Sequence, residues 1–198
     1  MRSPTGKRVL LTLAALFLLW QSVKLTPQLP QFAGVDWPWR ILLAWVYNLF
    51  VTGVFAFAGF AYPTQRLLPP AYYRIHRPAR LDWWYRRLGV AYFRSALLAT
   101  LWRGKEQSAR YFNGRRDGVA QLREQSEKSE FGHLIPLVIL TGVSSWLVAS
   151  GATWLALATQ VINVIGNLYP VLLQRFHRMR LQRLERLTRD RLGGTARR

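Results

Sequence analysis

Apolar residues in this chain come in long blocks rather than in alternation, and four blocks dominate it. Residues 9–23 (VLLTLAALFLLWQSV) and 39–62 (WRILLAWVYNLFVTGVFAFAGFAY) form a first pair; residues 134–150 (LIPLVILTGVSSWLVAS) and 152–173 (ATWLALATQVINVIGNLYPVLL) form a second. A spanning helix needs about 20 mostly apolar residues, with a range of roughly 17–25. The second and fourth blocks meet that length, the third just does, and the first is short. Arg2, Lys7 and Arg8 before the first block resemble a signal peptide, but no small-residue cleavage motif follows, and Lys24, Pro27 and Pro30 come next. The first block is therefore read as a retained helix. The expected fold is all-α: an integral membrane protein with four transmembrane helices in one domain over residues 1–198.

The segments between the blocks carry a different pattern. Residues 63–133 open on Pro63 and the Pro69-Pro70 turn, then run through AYYRIHRPARLDWWYRRLGVAYFRSALLATLW. From Asp82 to Trp102 the spacing predicts one helix with Trp and Tyr beside Arg. That mixture suits the head-group zone, where amphipathic rings and snorkelling arginines are both solvated at one end. Residues 104–118 read as a polar loop and 119–133 as a helix running into the third span. After the fourth span, 174–192 continue as a cationic helix ending at Gly193-Gly194, within a basic tail at 174–198. Tyr169-Pro170 predicts a kink that frees backbone carbonyls. Ser150-Gly151 is a tight turn between the last two spans.

Charge changes the picture next. The chain has 28 Lys+Arg against 9 Asp+Glu, a formal charge of +19 that by itself suggests nucleic acid. In the four-helix topology, however, 26 of the 28 cations fall on one side, with only Lys24 and Arg40 on the other. Lys and Arg concentrate in cytoplasmic loops, so both termini and residues 63–133 are expected in the cytoplasm, at the cell (inner) membrane. The charge is then mostly topology and attraction to anionic lipid head groups, about 1 kcal/mol per residue near the surface, and no nucleic acid is expected. The absence of cysteine excludes disulfides, thiolate metal sites and a cysteine nucleophile.

Two constellations are able to carry chemistry. Glu130-x-x-His133 stands at the cytoplasmic mouth of the third span, and residues three apart share a helix face, so the carboxylate can orient the imidazole. A carboxylate-oriented His is a common general base for an alcohol nucleophile. The same face places Thr141 and Ser144 above it. The plainer reading is an interfacial His with a Glu from a solvated run (Glu124, Glu127, Glu130). A di-metal site would need a second such pair, so no metal is expected. The other constellation is a polar stripe, Gln160, Asn163, Asn167, Gln174 and Arg178, on one face of the fourth span. It lines a polar cleft or supplies interhelical hydrogen bonds. Gln174, Arg175 and Arg178 sit where head groups begin, suited to holding a phosphate or carboxylate or simply to anchoring.

These residues resemble a known family. EKSEFGHLIPLVIL, followed by NVIGNLYPVLLQRFHRMRLQRLERL, is similar to the C-terminal half of the glycosyl-4,4'-diaponeurosporenoate acyltransferase family. There a Glu-x-x-His at the start of a span precedes an Asn-hydrophobic-Pro span closing on Gln-Arg-aromatic-x-Arg-x-Arg-Leu. The matching positions are Glu130, His133, Asn167, Pro170, Gln174, Arg175, Phe176, Arg178, Arg180 and Leu181. A looser likeness at RLLPPAYYRIHRPARLDWWYRRLGVAYFRSALL extends it over roughly residues 65–188. The chain departs from the pattern at Gln125-Ser126-Glu127, at Leu134 where the family has Trp, and at His177-Arg178-Met179-Arg180 in place of Asn-Arg-Pro-Arg.

The resemblance implies transfer of a fatty acyl chain from an acyl thioester, used as co-substrate with no bound cofactor, to a hydroxyl of a glycosylated carotenoid or similar glycolipid. His133 would be the base, Glu130 its orienting partner, Asn167 or Gln174 an oxyanion donor, and Arg175, Arg178 and Arg180 a clamp for the carrier. The alternative is a non-catalytic accessory protein that binds pigment, lipid or a partner membrane enzyme.

Overall fold

The structure, a computed structural model, describes residues 4–100 and 116–195, and among them there are helices and turns but no strand. The chain divides into two compact units. The first comprises Met1–Leu67 and Lys128–Val171, the second Leu68–Glu127 and Leu172–Arg198.

The first unit holds the apolar helices. Helix α1 (Pro4–Leu25) has 22 residues, because Thr5 to Arg8 join the helical ladder ahead of the apolar block. The block that looked short in sequence is thus long enough to span. A 3₁₀-helix (Thr26–Gly34) follows, with Leu29 buried and Thr26 Oγ1 2.8 Å from the Tyr47 hydroxyl. Helix α2 (Trp37–Ala61) starts behind Asp36 with proline in its first turn. It stops at Tyr62, held extended before Pro63 as residues preceding proline are. Helices α1 and α2 lie close enough that Leu18 Cδ1 is 2.5 Å from where a Cβ on Gly53 would stand. Small residues permit such approach in membrane helix pairs.

Helix α6 (Arg116–Ala149) confirms that residues 119–133 run into the third span as one helix. It ends in a Schellman motif: Ala152 N–H bonds Leu147 C=O, Gly151 N–H bonds Val148 C=O, and Gly151 takes φ +80°. Helix α7 (Thr153–Asn163), a π-helical turn (Val164–Leu168) and helix α8 (Tyr169–Thr195) continue the chain. The irregularity expected at Tyr169-Pro170 is this π turn, just before the proline. The core joins Leu29, Tyr47, Leu140, Leu147 and Leu155. Large apolar side chains such as Leu13, Phe17, Trp20 and Val138 remain exposed, the surface that hydrocarbon would cover. Among the described residues, four helices are long and apolar enough to span a membrane.

The second unit holds the aromatic, basic segments. Helix α3 (Pro70–Tyr73) comes first, and helix α4 (Pro78–Arg87) and helix α5 (Val90–Thr100) stand where a single helix was expected from Asp82 to Trp102. The break is at Gly89, whose φ of +66° ends α4; a glycine inside a helical pattern does not announce this, since many are tolerated. Tyr85, Val90 and Leu173 form its core, with Phe176 meeting the Tyr85 ring edge-on at 5.4 Å. The loop expected at 104–118 lies outside the described residues except for Arg116–Gly118, which are helical. Helix α8 runs through Gly193-Gly194 to Thr195; glycine permits a helix end without requiring one.

Candidate active site

In the first unit, α6 and the α7–π turn bring together the imidazole and the amide stripe. His133 Nδ1 lies 3.1 Å from Asn167 Oδ1, which also accepts from Thr52 Oγ1 of α2 at 3.2 Å. Asn167 Nδ2 donates to Asn163 Oδ1 at 3.0 Å. Asn163 Nδ2 in turn donates to the Leu137 carbonyl at 3.1 Å and to Thr141 Oγ1 at 3.3 Å, while Gln160 Nε2 reaches that hydroxyl at 3.4 Å. Asn163 and Asn167 are 0% and 1% exposed, so each bond stands without competing water. Glu130, one turn before His133 on the same face of α6, is fully buried.

The π turn contributes to this arrangement. Tyr169 N–H bonds the Val164 carbonyl five residues back. Pro170 has no N–H for Gly166, and the Gly166 backbone becomes a further polar neighbour of the imidazole. Single π turns inside α-helices recur at functional sites because they re-aim side chains in this way.

Two of these residues were missed as participants by sequence reasoning. Asn163 was placed in the stripe but not connected to His133, and Thr52 was not singled out. The available signal for Thr52 was Asn48-x-x-x-Thr52, two polar residues one turn apart in an otherwise apolar helix; Asn48 Nδ2 bonds the Thr159 carbonyl at 3.3 Å. Asn167, expected as an oxyanion donor, accepts through its oxygen from Thr52, faces His133 Nδ1 with the same oxygen, and gives one N–H to Asn163.

The second unit gathers the cations on aromatic faces. Arg175 lies over the Tyr72 ring at 4.8 Å, Arg178 over Tyr73 at 5.2 Å and Arg180 over Phe176 at 4.4 Å. Their exposure differs. Arg178 is 1% exposed and donates from Nη1 to Ser126 Oγ at 3.3 Å, while Ser126 donates to the Gln174 carbonyl at 3.2 Å. Arg175 is half-buried and Arg180 exposed. Burial pushes the Tyr73 phenol up to about 12, with the Glu127 carboxylate adding to the effect and the Arg178 guanidinium opposing it. Burial raises the Tyr85 phenol as well. A cavity of about 530 Å³ opens beside this cluster, with Ile75, Pro78, Phe176 and Met179 on its apolar wall and Arg180 and Arg183 at its edge.

Fold and side chains together define a helical membrane protein whose first unit carries an imidazole–amide cluster with buried asparagines and whose second unit carries an arginine–aromatic cluster. The sequence profile of the glycosyl-4,4'-diaponeurosporenoate acyltransferase family matches residues 69–187. The match covers more than half of the chain, which belongs to that family. No curated protein and no solved structure gives a match.

Proposed function

We propose that the protein esterifies a hydroxyl of a glycosylated carotenoid, or a similar glycolipid, with a fatty acyl chain taken from an acyl thioester. Family membership supports the reaction class, and the observation that carries the reading is the half-buried His133 with Nδ1 engaged by the buried Asn167. Nε2 of His133 takes the proton of the sugar hydroxyl as its oxygen attacks the thioester carbonyl. The C–O bond forms, the C–S bond breaks, and the proton passes from Nε2 to the leaving thiolate. Glu130 acts from the preceding turn as a positioning residue. In the arginine–aromatic cluster, Arg175 and Arg180 bind phosphates or carboxylates of the carrier, and the neighbouring cavity takes apolar chain. Arg178, being buried, organises that cluster from within.

The one-sided distribution of Lys and Arg supports an orientation with both termini in the cytoplasm, in the cell membrane, against anionic lipid. Tags at Met1 and Arg198 that resist external protease in intact cells are the expected result. The reaction is tested with purified protein, acyl-CoA and a glycosylated carotenoid, following the ester by mass spectrometry. Ester formation that disappears in His133→Ala is expected. Absence of turnover with every acyl donor, together with a stoichiometric co-purifying membrane enzyme, would support the accessory role instead.

A further inference from the structure

The hydrogen bonds around His133 have a direction that can be worked out from one end. A backbone carbonyl only accepts, so the Asn163 group 3.1 Å from Leu137 C=O must be its NH₂. Thr141 confirms this independently. Its hydroxyl proton is spent on the same Leu137 carbonyl at 2.7 Å, so Thr141 Oγ1 faces Asn163 as an acceptor. Asn163 Oδ1 is thereby turned toward Asn167, and the Asn167 group 3.0 Å away must donate. That leaves Asn167 Oδ1 facing His133 Nδ1, and an amide oxygen only accepts.

We infer that Asn163, acting through Asn167, is a positioning residue that sets the tautomer of His133, with the proton on Nδ1 and the lone pair on Nε2. An amide flip, which is cheap at a solvated surface, is blocked at both asparagines: either flip would set two acceptors face to face in a buried setting, where unsatisfied polar groups are costly. Thr52 adds a donor to Asn167 Oδ1 but does not set the direction, because a hydroxyl adapts to either partner. The relay therefore begins at the Leu137 carbonyl of α6, crosses to Asn163 and Asn167, and returns to His133 of α6. The Gly166 backbone is a second hydrogen-bond partner of the same ring, and the relay fixes the direction of the Asn167 bond at Nδ1. The catalytic consequence, an Nε2 that accepts the sugar proton, rests on the acyltransferase reading; the Nδ1 proton itself does not.

The chain has three histidines, His76, His133 and His177, so ¹⁵N NMR of histidine-labelled full-length protein in lipid nanodiscs resolves the question. The His133 signals are identified by their loss in His133→Gln. In the wild type at neutral pH we expect a pyrrole-type Nδ1 and a pyridine-type Nε2. Asn163→Leu removes the acceptor that orients Asn167, and a mixture of tautomers is expected, with kcat lowered about 10-fold and KM little changed. Asn163→Asp, its buried carboxyl held neutral with the O–H toward the Leu137 carbonyl, keeps an acceptor toward Asn167 and should retain the Nδ1–H form. Thr52→Val should leave the tautomer unchanged. An Nε2–H or doubly protonated ring in the wild type overturns the inference without any variant needing to fold, as does an unaltered spectrum in folded Asn163→Leu. A correct tautomer with no turnover would instead count against the acyltransferase reading alone.

Discussion

The two clusters use buried polarity in opposite ways. In the first unit, neutral amides pass hydrogen-bond direction along fixed partners to an imidazole, and no formal charge is required for the arrangement to hold. In the second, guanidinium groups are held by aromatic faces, and their exposure runs from 1% for Arg178 to open for Arg180. A directed amide chain suits a group whose protonation must be in one state. A graded set of cations suits a surface where one arginine must organise and others must meet an anion. Arginines three or two residues apart on one helix thus meet different surroundings, and burial separates them.

The largest effect is expected at His133. His133→Ala should lower kcat by roughly 10²–10⁴-fold, the usual contribution of a general base, while thermal melting in detergent changes little. Retained ester formation in that variant would remove the imidazole from the mechanism. Asn167→Leu should follow, with turnover down about 100-fold through a misplaced ring. Its cost in stability should be small, since interhelical hydrogen bonds in membranes average about 0.6 kcal/mol. Gln160→Leu is the control, expected to keep turnover because Gln160 hydrogen-bonds Thr141 and Asn163 rather than the imidazole. Equal loss at both positions in folded protein would make the stripe one functional unit.

In the second unit the contrast lies between two arginines. Arg178→Ala should destabilise by about 2–4 kcal/mol through the lost ring contact and hydrogen bond, seen as a lower melting temperature. Arg180→Ala should leave melting unchanged and raise KM for the acyl donor. The reverse pattern would exchange their roles. Tyr73 gives the smallest effect. Its phenol is raised to about 12 in the folded chain against about 10 in the unfolded. Above pH 10 the unfolded chain therefore binds fewer protons than the folded one, and stability falls with pH until about 12. Tyr73→Phe should flatten that decline in pH-dependent unfolding.

Much of this was legible along the chain. Four apolar blocks determined an all-α membrane protein, because length and hydropathy are local quantities. The Glu130–His133 spacing and the stripe from Gln160 to Arg178 were likewise readable, since residues three, four or seven apart share a helix face whatever packs against it. What periodicity cannot state is which faces meet. That Thr52 of α2 and Asn163 of α7 converge on Asn167, and Asn167 on His133, depends on packing between helices more than 100 residues apart in sequence for Thr52 and Asn167. The same holds for Arg178, one of several similar cations in the sequence, whose burial follows from the ring of Tyr73 and the hydroxyl of Ser126. The break at Gly89 needed a positive φ that composition does not reveal. The residue types and their faces were determined by the sequence alone. Which partners they found, and in which direction each hydrogen bond runs, was decided by tertiary structure, because a buried donor or acceptor takes its role from the atom opposite it.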